Sequence, residues 1–241
     1  MPIIANVAIG IQARSTSKRF PGKIFSDICG KPMLKWVIDS AHECRNYLGR
    51  PNLSRQTKVD VAVLCPWGDE VKARFRNTAQ IIEGPEDDVL ARYHALLQFH
   101  RYDYVVRITG DCPLIPAPII TKCINVAVLN RYDYVSNVDE RLRLSMDGMD
   151  CEVISARLLK YMHENAKSAY DREHVTTFAR SDQLPKEFTT AHLVGYFDLS
   201  GLKLSVDTEE DLAVVRHHKE RVMAAMEKAE ELDGKRSVHR F

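Results

Sequence analysis

The chain has 241 residues, enough for one sizeable α/β domain, and it carries 34 Lys and Arg against 33 Asp and Glu. This balance excludes a polyanion-binding protein as a whole and confines any anion site to a local patch. The six cysteines include no CxxC pair, and no apolar run approaches the roughly 18–20 residues of a membrane span. The start of the chain is unlike a signal peptide. We therefore predict a cytoplasmic protein that binds neither membrane nor nucleic acid.

Short apolar runs alternate with helical periods through the first half of the chain. Strands are predicted at Val7–Gln12, Val59–Cys65, 79–84 and Asp103–Gly110, and helices at 34–44, Glu70–Asn77, Glu86–His100 and 117–129. The acids that start the third of these helices are expected in its first turn, where the helix dipole favours them. The alternation predicts an α/β fold with a mainly parallel sheet and helices on both faces.

The pattern changes near Tyr132, after which the extended segments become shorter. Residues 132–137, 150–155 and 188–195 predict a small antiparallel addition to the sheet. A short strand at 202–207 then precedes a closing helix from Thr208 to about Ala229, with Thr208 and Asp211 as an N-cap pair, and a frayed polar tail at 233–241. We interpret 1–241 as a single domain that contains an antiparallel excursion at about 132–200.

The loop directly after the first strand is unusually basic. It reads ARSTSKRFPGK, and its cations are Arg14, Lys18, Arg19 and Lys23. Ser17 occupies the place of the first glycine of a Walker A loop, and the strand is not followed by a GxGxxG fingerprint, so P-loop kinases and NAD enzymes are disfavoured. Cationic side chains with backbone amides suit a polyphosphate. The alternative is a solvated basic turn.

Two aspartates follow predicted strands, at the sheet edge where open parallel sheets bind ligands. Asp111 comes after the fourth strand and beside Gly110, which lets a ligand approach the backbone, and Asp207 ends the strand at 202–207. If these strands are neighbours, both carboxylates converge on one Mg²⁺, which prefers one or two carboxylates with phosphate oxygens and water. The alternatives are a turn or N-cap role for Asp111 and a place in the last helix's first turn for Asp207.

A polyphosphate loop and two metal carboxylates together favour nucleotidyl transfer. In that reaction an acceptor oxygen attacks the α-phosphorus of a nucleoside triphosphate, and pyrophosphate leaves. The protein contributes positioning and charge neutralisation rather than covalent chemistry.

Several segments also resemble a known family. The family pattern A-R-x-x-S-x-R-x-P-G-K is matched at 13–23, and further matches are GKPML at 30–34, EDDVLARY at 86–93, RITGDCPLI at 107–115, DYVSN at 133–137, YDREHVT at 170–176 and LKLSVDTEEDL at 202–212. Together they resemble the spore-coat polysaccharide cytidylyltransferase branch, which is related to the enzymes that make CMP-Kdo and CMP-sialic acids. The resemblance extends from about Val7 to Val215.

The resemblance implies a Rossmann-like three-layer fold, a homodimer built partly on the antiparallel excursion, and CTP as the nucleotide. It implies that the catalytic residues are Arg14 and Lys23 on the triphosphate and Asp111 and Asp207 on Mg²⁺. The implied nucleotide site further includes Ala13, Ser17, Arg19, Asp88, Arg92 and Gly110, with Asp88 and Arg92 near the cytosine. Thr16 departs from the family, because many relatives have glycine there, and it adds a hydroxyl to the loop.

The acceptor side is predicted from the segment DREHVT. Arg172 suits a sugar-acid carboxylate, His174 suits a hydroxyl or phosphate, and Glu173 lies between them. Glu152 and Asp150 are further acceptor candidates. The alternatives are a solvated helix face with His174 packed against the core, and acids at a strand edge that only prevent aggregation.

The sequence therefore predicts a Mg²⁺-dependent cytidylyltransferase that transfers CMP from CTP to a sugar acid of the 3-deoxy-ulosonic type or a related small acceptor. One alternative is a nucleotidyltransferase that acts on a sugar-1-phosphate or a phosphonate. Another is a catalytically silent nucleotide-binding regulatory protein, which the presence of Lys23, Asp111 and Asp207 disfavours.

Overall fold

The computed structural model describes residues 5–48, 57–138, 147–193, 201 and 203–219. The strands within these ranges are β1 (Ala5–Gln12), β2 (Asp27–Ile28), β3 (Lys31–Pro32), β4 (Thr57–Pro66), β5 (Gln80–Gly84), β6 (Tyr104–Thr109), β7 (Tyr134–Ser136), β8 (Glu152–Ser155) and β9 (Thr190–His192). The helices are α1 (Met33–Leu48), α2 (Glu70–Phe75), α3 (Val89–Phe99), α4 (Ala117–Asn130), α5 (Ala156–Asn165), α6 (Ala169–His174) and α7, which covers 209–219. Single 3₁₀ turns lie at Lys23–Phe25 and Phe178–Arg180. No helix in the described ranges has the length and apolar character needed to cross a lipid bilayer.

Seven strands form one sheet in the order β5-β4-β1-β6-β8-β7-β9, and β2 and β3 form a separate antiparallel hairpin. Strand β1 pairs in parallel with both β4 and β6. One core lies between the sheet and helices α1 and α4 and includes Ile9, Ile38 and Ile124. A second core lies on the other face, where Tyr93 of α3 and Leu158 of α5 are buried. The predicted three-layer α/β fold with a mainly parallel sheet is confirmed.

The strands after residue 132 pair differently from the prediction in one respect. Strand β8 runs antiparallel to β6 and β7, as expected, but β9 runs parallel to β7. Because α5, α6 and a 3₁₀ turn separate β8 from β9, the chain returns to the end of the sheet where β7 begins and enters it in the same direction. Within the described sheet, β8 alone therefore opposes the other strands.

The segment before the last helix corrects another expectation. Where a strand was predicted at 202–207, the described residues form irregular chain with one isolated bridge, between Asp147 and Lys203. The backbone N–H of Val206 nevertheless donates to the carbonyl oxygen of Asp111 at 2.9 Å. This hydrogen bond holds the segment against the end of β6 without extending the sheet.

Side-chain caps set the starts of two helices. Asp88 accepts a hydrogen bond from the backbone of Ala91 at 2.9 Å, so α3 begins at Val89 and the preceding acids lie before the helix rather than in its first turn. Helix α7 begins as predicted, because the Thr208 hydroxyl accepts from the backbone of Asp211 at 3.3 Å. The predicted continuation to Ala229 and the tail at 233–241 lie outside the described residues.

The order of strands creates a change of direction beside β1. Strands β4 and β5 extend from β1 towards one edge of the sheet, whereas β6 and β8 extend towards the other. In open α/β sheets, the carboxyl ends of the strands at such a switch point form a crevice that binds ligands. The loops that follow β1 and β6 meet at this crevice.

Candidate active site

A cavity of about 730 Å³ opens where the loops after β1 and β6 meet. The sequence prediction named many of the residues that line it: Ala13, Arg14, Ser17, Arg19, Lys23, Arg92, Asp111, Glu173, His174 and Asp207. These residues come from distant parts of the chain, and the fold brings them together at one end of the sheet. The basic loop therefore faces a cavity rather than bulk solvent.

The ammonium group of Lys23 is the centre of the charged end of this cavity. Its Nζ donates to Asp111 Oδ2 at 2.8 Å, to Asp207 Oδ1 at 3.1 Å and to the carbonyl oxygen of Val206 at 2.7 Å. Three acceptors match the three N–H groups of an ammonium, and the Lys23 side chain is only 10% exposed. Asp111 and Asp207 therefore converge on a single cation, although they are far apart in the sequence.

Neighbouring cations keep the Asp207 carboxylate ionised. Burial alone would raise its pKa, but the hydrogen bond and charge of Lys23, with the charges of Arg19 and Lys203, hold the pKa below its ordinary value. The guanidinium of Arg19 lies 2.8 Å from Asp207 Oδ1, and Nζ of Lys203 lies 3.4 Å from Oδ2. The site thus presents a negatively charged oxygen ligand at neutral pH.

The donor set at this end of the cavity fits a divalent cation that also binds phosphate. Among the described residues, no group of three or more His, Cys, Asp or Glu side chains gathers as a self-contained metal cage. Two aspartate carboxylates that already share one cation offer hard oxygen ligands and leave the other positions open. Mg²⁺ is bound in this manner, by one or two carboxylates with phosphate oxygens and water.

Hydrogen bonds hold the basic loop in a closed shape. The backbone N–H of Gly22 donates to the carbonyl oxygen of Ser15 at 2.8 Å, which closes the loop on itself. The N–H of Ser15 donates to Asp69 Oδ2 at 2.9 Å, and the other oxygen of Asp69 caps α2 at Val71. Gly22 has φ of 71°, a left-handed conformation that glycine adopts without strain. The cations are therefore carried by an anchored loop.

Glu86 joins the basic loop to the segment before α3. The hydroxyl of Thr16 donates to Glu86 Oε1 at 2.6 Å, and Nη1 of Arg14 lies 3.7 Å from the same oxygen. All three residues line the cavity. The hydroxyl of Thr16 thus bonds to a carboxylate across the cavity wall.

Arg92 of α3 lines the cavity beside Glu86. Its guanidinium donates to the carbonyl oxygens of Leu64 at 3.2 Å and Glu86 at 3.4 Å, and the residue is 3% exposed. Burial lowers its pKa, with a smaller contribution from the charge of Arg14. Two backbone carbonyls therefore hold the guanidinium of Arg92 in a fixed position at the cavity wall.

Asp88 and Arg172, which were predicted to contact the nucleotide and the acceptor, bind each other. Arg172 Nε donates to Asp88 Oδ2 at 2.8 Å, and its Nη1 donates to the carbonyl oxygen of His163 at 2.9 Å. The pair links α6 to the N-terminus of α3 and to α5. Neither residue is among those that line the cavity, so their predicted contacts with ligands stay predictions.

Gly110 also lies outside the cavity lining. Its N–H donates to the carbonyl oxygen of Gln12 at 2.8 Å. A Cβ at this position would lie 3.0 Å from Leu34, 3.2 Å from the Ala13 side chain and 3.2 Å from the Gln12 oxygen. The glycine therefore allows the end of β6 to pack against β1 and α1, and the predicted close approach of a ligand stays a prediction.

Glu152 is buried within the sheet, which corrects its predicted contact with an acceptor. The residue is 1% exposed, and its carboxylate pairs with Arg107 of β6 and accepts from the hydroxyl of Tyr134. Burial alone would raise its pKa, but Arg107, Tyr134 and Thr176 hold it below the ordinary value. Asp150, the other acid named in this segment, is half-buried before β8.

Glu173 and His174 reach the cavity from the end of α6. The backbone of the next residue, Val175, has φ of 63° and ψ of −57°, and the N–H of Thr176 donates to the His174 carbonyl at 2.6 Å. This is a strained γ-turn for a β-branched residue. The ring of His174 packs on Tyr170 with centroids 4.3 Å apart. The tight turn therefore ends α6 at the cavity wall.

The sequence prediction missed three residues that shape the site. Gln12 and Thr109 line the cavity at the ends of β1 and β6, and Asp69 anchors the basic loop. A polar residue that ends an otherwise apolar strand is a signal for Gln12 and Thr109. An aspartate just before a short helix predicts an N-cap at Asp69, but its second bond, to Ser15, depends on tertiary packing.

Comparison with known proteins places these features in a family. A family profile described as cytidylyltransferase matches residues 8–239. The 3-deoxy-manno-octulosonate cytidylyltransferase of Francisella philomiragia is 24% identical over 244 aligned positions, which cover 98% of this chain and 87% of that protein. The spore coat polysaccharide biosynthesis protein SpsF of Bacillus subtilis is 25% identical over 213, covering 86% of this chain and 83% of that protein.

A solved structure has the same fold. The cytidylyltransferase of Leptospira borgpetersenii superposes with a TM-score of 0.75, at 24% identity, and covers 93% of this chain and 95% of that one. At this identity the superposition supports the fold, and the family assignment rests on the profile match and the sequence relatives.

Proposed function

The chain belongs to the cytidylyltransferase family, and we propose that it transfers CMP from CTP to a sugar acid of the 3-deoxy-ulosonic type, with release of pyrophosphate, in a Mg²⁺-dependent reaction. The observation that carries this proposal is the arrangement of Asp111, Asp207 and Lys23 at the end of a cavity lined by further cations. The name of the Francisella relative supports a sugar acid as acceptor.

The nucleotide's triphosphate is assigned to the charged end of the cavity. Arg14, Arg19 and Lys23 bind its oxygens, and the anchored loop from Ala13 to Ser17 presents backbone and hydroxyl groups beside them. Anchored donors need little reorganisation when the charge on the phosphates changes during the reaction. Lys23 already holds three acceptors, so it exchanges a partner when a phosphate arrives.

Asp111 and Asp207 are assigned to the metal ion. When bound, Mg²⁺ supplies charge stabilisation at the phosphate oxygens. The hydroxyl oxygen of the acceptor forms the new bond to the α-phosphorus, the bond from that phosphorus to the β-bridging oxygen breaks, and pyrophosphate carries away the electron pair. The hydroxyl proton passes to solvent. This chain holds the two reactants in line and neutralises charge.

The acceptor is assigned to the side of the cavity formed by Glu173 and His174. His174 suits a sugar hydroxyl, and its place at the end of α6, directly before a strained turn, holds it against the cavity. Arg172 does not take part in this assignment, since its guanidinium is bound to Asp88.

We further propose that residues 1–241 form one nucleotidyltransferase domain, which acts in the cytoplasm as a homodimer with 132–200 contributing to the interface. The cytoplasmic assignment is supported by the six cysteines, which are all free thiols, five of them buried. Sedimentation velocity at several protein concentrations tests the dimer, which a monomer at all concentrations contradicts.

The direct test is a pyrophosphate-release assay with CTP, Mg²⁺ and 3-deoxy-manno-octulosonate. We expect release that requires all three components, together with formation of the CMP-sugar by mass spectrometry. Turnover with UTP, ATP or GTP at the same rate would contradict the cytidylyl assignment. CTP binding without turnover on sugar acids, but with turnover on a sugar-1-phosphate or a phosphonate, would contradict the acceptor class alone.

A further inference from the structure

Two polar atoms of residues that line the cavity have no hydrogen-bond partner among the described residues. They are Oε1 of Gln12, an acceptor, and Nε of Arg92, a donor, and both are buried. Both residues line the cavity. Buried polar groups are nearly always hydrogen-bonded, and an unpaired one is costly, so a pair of them at a cavity indicates a ligand that completes them.

The fold brings these two groups to the same place. Gln12 is the last residue of β1 and lies in register with Leu64 of β4 and Thr109 of β6. It has the strand parity of Ala8, which belongs to the core on the α3 side of the sheet. Arg92 comes from α3 and donates to the carbonyl oxygen of the same Leu64 at 3.2 Å. The carboxamide and the guanidinium therefore flank one strand residue.

The chemistry of the two atoms excludes phosphate as the group that meets Gln12 Oε1. A phosphate oxygen is an acceptor, so it cannot form a hydrogen bond with the acceptor Oε1. The cations of the basic loop are in any case the groups assigned to bind phosphate. Oε1 needs an N–H or O–H donor, and Arg92 Nε needs an acceptor next to it. The amino group and ring nitrogen N3 of cytosine offer such a donor and acceptor side by side.

Uracil has the opposite arrangement at these positions. It carries a carbonyl oxygen in place of the amino group and an N–H at N3. Whichever way the Gln12 carboxamide turns, the N3–H of uracil meets the Arg92 donor, and one buried polar group is left unpaired. The two residues together therefore distinguish the two pyrimidines.

We infer that Gln12 is a specificity-determining residue that reads the nucleobase, with its Oε1 accepting from the amino group of cytosine while Arg92 Nε donates to N3. The inference rests on the proposed function, because it assumes that a cytidine nucleotide occupies the cavity. It adds a residue that the sequence analysis did not assign, and it gives Arg92 a stated bond.

The test measures binding rather than turnover, by isothermal titration with CTP, UTP and inorganic tripolyphosphate in the presence of Mg²⁺. Gln12→Leu removes the acceptor at nearly constant size and is expected to reduce the preference for CTP over UTP by roughly 10- to 100-fold. Tripolyphosphate has no base, so its affinity should remain unchanged, which also shows that the variant is folded. Gln12→Glu keeps acceptor oxygens and should keep the preference for CTP, with weaker binding of all three anions.

Gln80→Leu is the matched control, because Gln80 is exposed at the amino end of β5. If Gln12→Leu keeps the wild-type preference for CTP, the inference is overturned and the proposed function stands. If it weakens CTP and UTP equally, Gln12 contacts the ribose, which also overturns the inference. If the wild-type protein itself shows no preference for CTP, the proposed function fails before any variant is considered.

Discussion

Two cation–carboxylate groups are attached to β6 and its following loop, and their surroundings differ. Lys23 binds Asp111 and Asp207 at the cavity, where the Asp111 side chain is 29% exposed. Arg107, in β6 itself, binds Glu152, whose side chain is 1% exposed. The first group can exchange a partner with an entering ligand, whereas the second has neither space nor solvent for exchange. Access, rather than residue type, separates the group suited to chemistry from the group that holds the sheet together.

The largest effect is expected from breaking the buried pair. Glu152→Gln leaves the Arg107 charge without a carboxylate, and removing one partner of a buried ion pair costs about 3–5 kcal/mol of unfolding free energy. Urea unfolding measures this loss. The CTP affinity of the folded fraction should stay close to that of the wild type, because Glu152 lies outside the cavity lining.

A double variant and a control sharpen this prediction. Replacing both partners with apolar residues, Arg107→Met with Glu152→Leu, should recover much of the lost stability, since no unpaired charge remains. Glu164→Gln, on the exposed face of α5, should change the unfolding free energy by less than about 0.5 kcal/mol. A Glu152→Gln variant with normal stability and weakened acceptor use would return Glu152 to the site.

The complementary change at the cavity should affect turnover rather than folding. Asp111→Asn removes a metal ligand, and because charge stabilisation by a bound metal is worth several kcal/mol, kcat should fall by about 10³-fold or more. Lys23 keeps its bonds to Asp207 and Val206, so the unfolding free energy should change little. Asp182→Asn, at an exposed turn, is the control in the pyrophosphate assay. Near-normal turnover in Asp111→Asn would remove the central residue of the mechanism.

The contrast between the two groups also explains which residues could be predicted from the sequence. Asp111 could be predicted because it directly follows a strand, and the carboxyl ends of parallel strands share one edge of the sheet. The convergence of Asp207 was predicted through a strand, but the structure achieves it with a single backbone bond from Val206 to Asp111. The local sequence therefore predicts that a residue lies at this edge of the sheet, even where the strand predicted to carry it does not form.

The partners of Glu152 and Arg172 could not be predicted in the same way. Glu152 pairs with Arg107, 45 residues earlier, and Arg172 pairs with Asp88, 84 residues earlier. Such pairs depend on how α3, α5 and α6 pack and on which face of β8 is covered, and neither is visible in local periodicity. From the sequence alone, a charged residue in a family motif is therefore assigned to a ligand, and only its burial and its partner in the structure show otherwise.

A moderate effect is expected at the basic loop. Arg14→Ala should weaken CTP and tripolyphosphate alike by about tenfold, since a hydrogen bond to a charged group is worth about 1.5–3 kcal/mol and Arg14 is partly exposed. Titration calorimetry measures both affinities. Arg101→Ala, exposed just before the amino end of β6, serves as the control. Unchanged binding of both ligands would show that Arg14 is a solvated side chain.

The smallest effect is expected from acid, and it separates the two groups by their response to salt. Because the pKa of Asp207 is held below its ordinary value, its ionised form stabilises the fold fully above about pH 4, and this stabilisation is lost as the pH falls through the lowered pKa. The unfolding free energy of the wild type should therefore exceed that of Asp207→Asn by about 1 kcal/mol at pH 7 and by progressively less towards pH 2, as measured by urea unfolding.

In 1 M NaCl the Debye length falls to about 3 Å, so this difference at pH 7 should shrink, whereas the loss of stability in Glu152→Gln should persist because its ion pair is buried. An advantage that is independent of both pH and salt would mean that Asp207 stabilises the loop by packing, and that the two groups do not differ in the way their exposure indicates.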